Sequence, residues 1–427
     1  MGTFVGAALG ARAPAADRPA PVRLPDHGEI PAPKGADAGR GGSALLGSLG
    51  ERSDGAACQP GDGVATRLAV VGIGVAVPPR SIAQPDAAQL AKALSCRTPR
   101  QARWLETLYK HTRVRRRGSV LLDAAASGSR HTFFIPPGKG RGRGPTTLQR
   151  MKRYEKEAGP LAFAAVRQAL LESGLPAKEL THLITVSCTG FFAPGLDLAL
   201  VKEFGLSRSI RRTQIGFMGC HGALNGMQVA LALAGADSQA KILLCAVELC
   251  SLHFQYGWNP GRVVANALFA DGAAAVIAAP AVRGPERAWK MASAGSWLFP
   301  DSEDAMTWRV GNHGFKMTLS PAVPALIQAH LRPWLEAWLR ENRLSIPRIR
   351  SWAIHPGGPR ILENVAASLD LPAGATGDSQ QILATCGNMS SPTVLFILER
   401  LRRRGAPRPC VALGFGPGLV AETALFL

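Results

Sequence analysis

QIGFMGCHGALNGMQ, residues 214–228, reads as an apolar strand that ends in Gly-Cys and runs directly into a helix of small side chains. A strand that stops on Cys220 and hands over to a helix within a residue or two is one unit of an α/β fold. The small residues that follow let that helix lie close against whatever covers it. A lone cysteine is ordinarily an inert, buried side chain. A cysteine at the positive end of a helix dipole can instead serve as a nucleophile. The rest of the chain has to decide between these two readings.

The order of elements around this stretch is regular. THLITVSC (181–188) predicts a strand and 194–204 a helix; then come the strand and helix that flank Cys220. KILLCAV (241–247) predicts a buried strand, 263–269 a helix and GAAAVIAA (272–279) another strand. Upstream, RLAVVGIGVAVPP (67–79) is strand-like and ends in prolines. Residues 86–94 and 99–109 are helical, and 146–173 is one long helix with a break expected at Gly159-Pro160. A basic, Gly-rich loop is expected over roughly 118–145. The second half repeats the theme: MTLS, a Trp-rich helix (321–341), SWAI, helices after Pro359 and from Pro392, and the final strands CVALGF and AETALFL. The expected organisation is a disordered Ala/Gly/Pro/Arg-rich tail over 1–65, a first α/β half over 66–285 and a second over 286–427.

With 427 residues the chain can build a sizeable core. Its formal charge of +19 raises the question of nucleic acid. The arginines are dispersed, with no interleaved aromatics and no finger or RNP-type motif, so nucleic acid is not the expected partner. The eight cysteines form no C-x-x-C pair and do not group with histidine at zinc-ligand spacing. No convincing signal peptide or integral membrane segment is read, so the expectation is a reduced, cytoplasmic protein without a bound metal.

Three strand ends carry reactive side chains in Gly-rich turns: Cys220; His355 in WAIHPGGPRI (352–361); and Asn388 in TCGNMSSPTVLFILERL (385–401). Ser391-Pro392 is read as the N-cap and first residue of the last of these helices. Ligands gather at the carboxyl ends of strands in α/β sheets. A thiol, an imidazole and a carboxamide brought together there would supply a nucleophile, its base and a neutral donor to a developing oxyanion. Taken singly, each is an ordinary turn residue.

GNMSSPTV (387–394), GFGPGL (414–419), ALFADGAAA (267–275) and HPGGPRIL (355–362), with VELCSLHFQ (247–255), together resemble the type III polyketide synthases, the chalcone synthase-like family of the thiolase superfamily, in its bacterial branch. The resemblance covers residues 66–427. It implies the thiolase-like duplicated five-layer αβαβα sandwich and a homodimer. It also implies a Cys220–His355–Asn388 triad, gatekeeping Phe269 and Phe315, and cavity-lining Cys188, His253 and Ser390. His253 is bulkier than the small residue of plant members. Arg103 and Lys110 align with basic residues that contact CoA, while a third such position holds Glu106. GFGPG is read as a loop that scaffolds the site.

The implied chemistry is iterative. Cys220 takes an acyl starter from acyl-CoA, malonyl-CoA loses carbon dioxide, and the resulting enolate attacks the bound acyl group. No metal or redox cofactor is implied, because the CoA thioesters are substrates. Cavity size, set by residues such as Cys188, Ala193, His253 and Trp308, would choose the product. A fatty acyl starter and a pyrone or resorcinol product are expected. The alternative is an initiating β-ketoacyl synthase of fatty-acid synthesis that condenses once; a non-catalytic basic binding protein on a decayed fold is more distant.

Overall fold

A computed structural model of the chain describes residues 67–122, 133–136, 142–285 and 288–427. The expected tail over 1–65 lies outside the described residues, as does residue 286, where the second half was expected to begin, and part of the basic loop over 118–145. Thirteen strands are described: β1 (Leu68–Ala76), β2 (Ser81–Ala83), β3 (Arg116–Gly118), β4 (His182–Ser187), β5 (Arg211–Gly216), β6 (Ile242–Leu249), β7 (Asp271–Pro280), β8 (Trp289–Leu298), β9 (Met306–Gly311), β10 (Gly314–Leu319), β11 (Ser351–Ile354), β12 (Cys410–Gly416) and β13 (Val420–Phe426).

Nine of these run in the order β11-β12-β13-β8-β1-β7-β6-β4-β5. That order holds the same motif twice. In the first half β1, β7 and β6 pair antiparallel, then β4 and β5 continue in parallel. In the second, β8, β13 and β12 pair antiparallel and β11 adds in parallel. The two sheets meet where Leu68–Val70 of β1 pairs with Trp289–Met291 of β8.

Three apolar layers account for this stack. The helices Gly222–Ala236 and Pro392–Arg403 bury Ala223, Met227, Val394 and Leu398 with the inner faces of both sheets, including Ile184, Leu244, Ala353 and Ala412. The long helix Thr147–Ser173 covers the outer face of the first sheet through Ala162, Ala165 and Val166 against Leu243 and Ala275. The helices Val323–Glu341 and Pro359–Ser368 cover the second through Leu331, Leu335 and Val365 against Val411 and Leu413. The layers are therefore α, β, α, β, α, with two inner helices between the sheets, one with a mostly small buried face and one with a branched, bulky one.

Three sequence expectations need correction. The helix 147–173 is not broken at Pro160: the proline ring is exposed, so the hydrogen bond it omits faces solvent. Ser391 and Pro392 take the N-cap and first helical positions as expected, but the Ser391 side chain makes no capping hydrogen bond; it is fully buried and its hydroxyl donates to Glu248 at 2.7 Å. The helix Gly377–Cys386 was not anticipated.

Candidate active site

Cys220 lies in a single tight turn (Gly219–His221) between β5 and the inner helix Gly222–Ala236. The turn is entered through Phe217 at φ 56° and Gly219 at φ 69°. A Cβ on Gly219 would sit 2.4 Å from Cδ of Pro417, so glycine is required on two grounds. Pro417 belongs to the GFGPG loop, which thus braces the cysteine turn as expected. His355 follows the last residue of β11, and its N–H donates to the Leu413 carbonyl of β12 at 2.7 Å. Asn388 precedes the other inner helix. Its Oδ1 accepts from the Ser390 N–H at 2.8 Å, which leaves the amide NH₂ to donate elsewhere.

Cys220, His355 and Asn388 line one pocket together with Phe269, Phe415 and Gly357, a space of about 510 Å³ with its open mouth included. The three residues therefore converge, although Asn388 follows the helix Gly377–Cys386 and not the strand end expected from the sequence. Asn388 is also tied to Phe269 by a two-sided backbone bridge: Ala270 N–H to the Asn388 carbonyl at 2.8 Å, and Asn388 N–H to the Leu268 carbonyl at 2.9 Å. Cys220 and Phe269 also line a second, larger cleft of about 1180 Å³, its open mouth included. Phe315, Cys188, His253, Ser390 and Trp308 line that cleft as well, and its walls are mainly apolar. Ala193 lines neither space.

Burial dominates the electrostatics. It pushes the Cys220 thiol up to about 12, against hydrogen bonds from Ser390 and Asn388 to the sulfur. The displacement from the ordinary value is on the order of 4 kcal/mol against ionisation. Burial, with the neighbouring His221, brings His355 down to about 3. Both ring nitrogens of His355 are buried without a hydrogen-bond partner among the described residues. Desolvation thus favours the neutral thiol and the neutral imidazole.

His253 is locked. Its Nδ1 accepts from the Phe315 N–H at 2.9 Å and its Nε2 donates to the Thr189 carbonyl at 2.7 Å. Its ring stacks on Phe315 at 4.2 Å, and burial brings it down to about 3. The bulky histidine is therefore a neutral clip that holds the Phe315 strand against the loop after β4. Cys188 Sγ lies 3.4 Å from Ser390 Oγ, and the Cys188 carbonyl accepts from Trp308 Nε1 at 2.7 Å.

Arg103 and Lys110 are exposed on the helix Pro99–His111 and line neither space. Glu106, on the same helix, pairs with Lys92. The cations on the large cleft are Arg117 and Arg262. Sequence reasoning also missed Glu248, fully buried on β6, whose carboxylate accepts from the Cys188 N–H at 3.0 Å, from Thr189 Oγ1 at 2.6 Å and from Ser391 Oγ. Burial raises its pKa against these bonds. The available signal was a carboxylate inside the otherwise apolar run ILLCAVEL. Among the described residues no cluster of His, Cys, Asp or Glu could hold a metal ion, and no helix is long and apolar enough to cross a membrane.

Two family profiles match nearly all of the described chain: the chalcone and stilbene synthase N-terminal domain over residues 53–281 and its C-terminal domain over 290–427. The chain is 34% identical over 374 residues to the alpha-pyrone synthesis polyketide synthase-like Pks18 of Mycobacterium tuberculosis, covering 84% of this chain and 91% of the relative. It is 38% identical over 271 residues to the 1,3,6,8-tetrahydroxynaphthalene synthase of Streptomyces peucetius, covering 62% of this chain and 72% of the relative. The crystal structure of PKS-I from the brown alga Ectocarpus siliculosus superposes with a TM-score of 0.79 at 30% identity, covering 86% of this chain and 99% of that one. The fold, the repeated strand order and these matches agree: the chain belongs to the chalcone and stilbene synthase family and is a type III polyketide synthase, an acyltransferase-type enzyme of CoA thioesters.

Proposed function

We propose that Cys220 is the nucleophile, His355 its base and, with Asn388, the donor pair for the enolate, and that the enzyme extends a fatty acyl starter with malonyl units. The observation that carries this is the meeting of two spaces at Cys220: a small pocket that holds all three polar groups and a large apolar cleft. His355 takes the proton from Cys220 as the sulfur attacks the acyl-CoA carbonyl, and returns it to the departing CoA thiolate. Malonyl-CoA then loses its carboxylate as carbon dioxide. The electron pair left behind forms an enolate whose oxygen accepts hydrogen bonds from the Asn388 amide and from His355. The enolate carbon attacks the acyl group and expels the Cys220 thiolate. All groups in these steps come from the protein and the thioesters, so no resident cofactor is invoked.

The starter class follows from the cleft. Ile82, Leu90, Leu94, Leu121, Leu122 and Phe134 are among its lining residues and give it an apolar wall suited to an alkyl chain. A pyrone or resorcinol product is the matching expectation. A homodimer is part of the same reading. β5 is the sheet's last strand, its face is exposed, and Phe191, Phe217 and Met218 beside it are exposed as well. Arg103 and Lys110 remain candidates for CoA phosphates outside both spaces, and a cytoplasmic setting suits a thiol that must stay reduced. Incubation with malonyl-CoA and a graded panel of acyl-CoA starters, with mass analysis of products, tests the proposal. Pyrones or resorcinols from long-chain starters are expected. Products from short or aromatic starters alone would overturn the starter class, and one extension from carrier-protein-bound malonate alone would overturn the iterative reaction.

A further inference from the structure

The helix Pro260–Leu268 runs along the large cleft and passes through Phe269 almost directly into β7. A helix end leaves its final carbonyls without partners in a following turn. No left-handed glycine closes this helix, since the chain is already extended at Phe269. Donors far away in sequence satisfy the carbonyls instead. Arg117 Nη1 donates to the Asn266 carbonyl at 2.6 Å and to the Phe269 carbonyl at 2.9 Å. Gln84 Nε2 donates to the Ala267 carbonyl at 2.8 Å, and the Asn388 N–H donates to that of Leu268 at 2.9 Å. Four successive carbonyls are thus held by three residues, and Arg117 alone holds two.

Arg117 also reaches the turn before Asn388. Arg115, just ahead of β3, donates its N–H to the Ala384 carbonyl at 2.8 Å, in the helix that leads to that turn. A Cβ on Gly387 would come 3.2 Å from Arg117 Cβ and 2.9 Å from Ala270 Cβ. The stem of Arg117 therefore packs on the turn that carries the carboxamide, while its head grips the main chain at Phe269. The guanidinium is 5.7 Å from the centre of the Tyr109 ring, and a cation suits the negative end of a helix.

We propose that Arg117 is a positioning residue, which fixes the carboxyl end of this helix and so sets where Phe269 and the Asn388 carboxamide stand. This rests on the enolate role proposed above for Asn388. Without the guanidinium, two carbonyls in a mainly apolar wall lose their donor, a cost that the main chain relieves by shifting. The Cys220 turn is braced from elsewhere, by Pro417. The two half-reactions therefore depend on Arg117 unequally. Decarboxylation needs Asn388 in place, whereas acyl transfer needs chiefly the sulfur and His355.

The test compares two rates in the full chain. One is malonyl-CoA decarboxylation without starter; the other is acylation of Cys220 by a saturating long-chain acyl-CoA, read by mass. In Arg117→Met the ratio of decarboxylation to acylation should fall about tenfold. Arg117→Lys, which keeps a cationic donor, should give a ratio between those of wild type and Arg117→Met. An unchanged ratio in folded Arg117→Met overturns the inference, and so does an equal fall in both rates, which marks a cap that only holds the fold. Should that variant fail to fold, Arg117→Gln, which loses the charge, replaces it, and a ratio that has not fallen overturns the inference. Asn388→Ala runs alongside. If it lowers the ratio and the Arg117 variants do not, the inference alone falls; if it leaves the ratio unchanged, the enolate role of Asn388 falls and the inference with it.

Discussion

The two halves of the molecule share a strand order and an inner helix, yet they place different chemistry at matching points. After the parallel strand of each half comes a Gly-rich turn: Cys188 follows β4 and His355 follows β11. Each inner helix is preceded by a polar side chain, Cys220 in the first half and Asn388 in the second. The first half thus brings the sulfur, and the second the imidazole and the carboxamide. The contact between Cys188 Sγ and Ser390 Oγ shows the two sets of turns meeting. A duplicated frame supplies four equivalent positions around one centre, and the residues at those positions were free to specialise. The frame sets where groups lie, and the side chains set what they do.

The sharpest way to break this division is Cys220→Ala. Condensation should fall at least about a thousandfold while the melting temperature stays close to wild type, read by CoA release and calorimetry. A variant that retained turnover would remove the first half's contribution. His355→Ala and Asn388→Ala each delete a donor from the second half, and each should cost about 10²–10³ in malonyl-CoA decarboxylation measured without starter. Decarboxylation that survived both would place the enolate donors elsewhere. A third substitution leaves the reacting groups alone and narrows the apolar cleft. Leu94→Trp should reduce kcat/KM for a long acyl-CoA by about 10–100-fold and spare short starters; equal loss for both would show that the cleft does not sort chains by length.

The smallest effect concerns His253, the neutral clip between the halves. Its folded value of about 3 is below the ordinary 6.5, so the unfolded chain takes up a proton that the folded chain refuses. Its contribution is therefore undiminished above pH 6.5 and is lost as pH falls towards 3. The difference in unfolding free energy between wild type and His253→Gln should shrink by about 1.4 kcal/mol for each pH unit below 6.5. A constant difference would mean that the ring is already charged.

Much of this was readable in advance, and the reason is local. β1, β4, β6 and β7 are near-continuous apolar runs, and His355 stands out because it ends one of the same kind in the second half. β5 departs from the apolar strand expected to stop on Cys220: it lies at the sheet edge, is the polar, exposed run RRTQIG and ends at Gly216. What was missed depends on partners far along the chain. β8 buries its residues irregularly, in a pattern too weak to read as alternation, and it pairs with β1 and β13. Ser391 looked like a cap because it precedes Pro392; only Glu248, 143 residues away, explains where its hydroxyl goes. Arg150, fully buried, donates to the carbonyls of Leu252 and Phe254 and holds the His253 loop, a role no helical periodicity reveals.

The backbone bridge that joins Phe269 to Asn388 has a mechanical consequence. Because the main chain on either side of the ring is pinned, Phe269 can move only by turning about its own side-chain bonds, on the rapid timescale of rotamer exchange. The ring can swing while the carboxamide beside it keeps its station. A gatekeeping role for Phe269, as the resemblance implies, would then uncouple flexibility in what is admitted from rigidity in where it reacts.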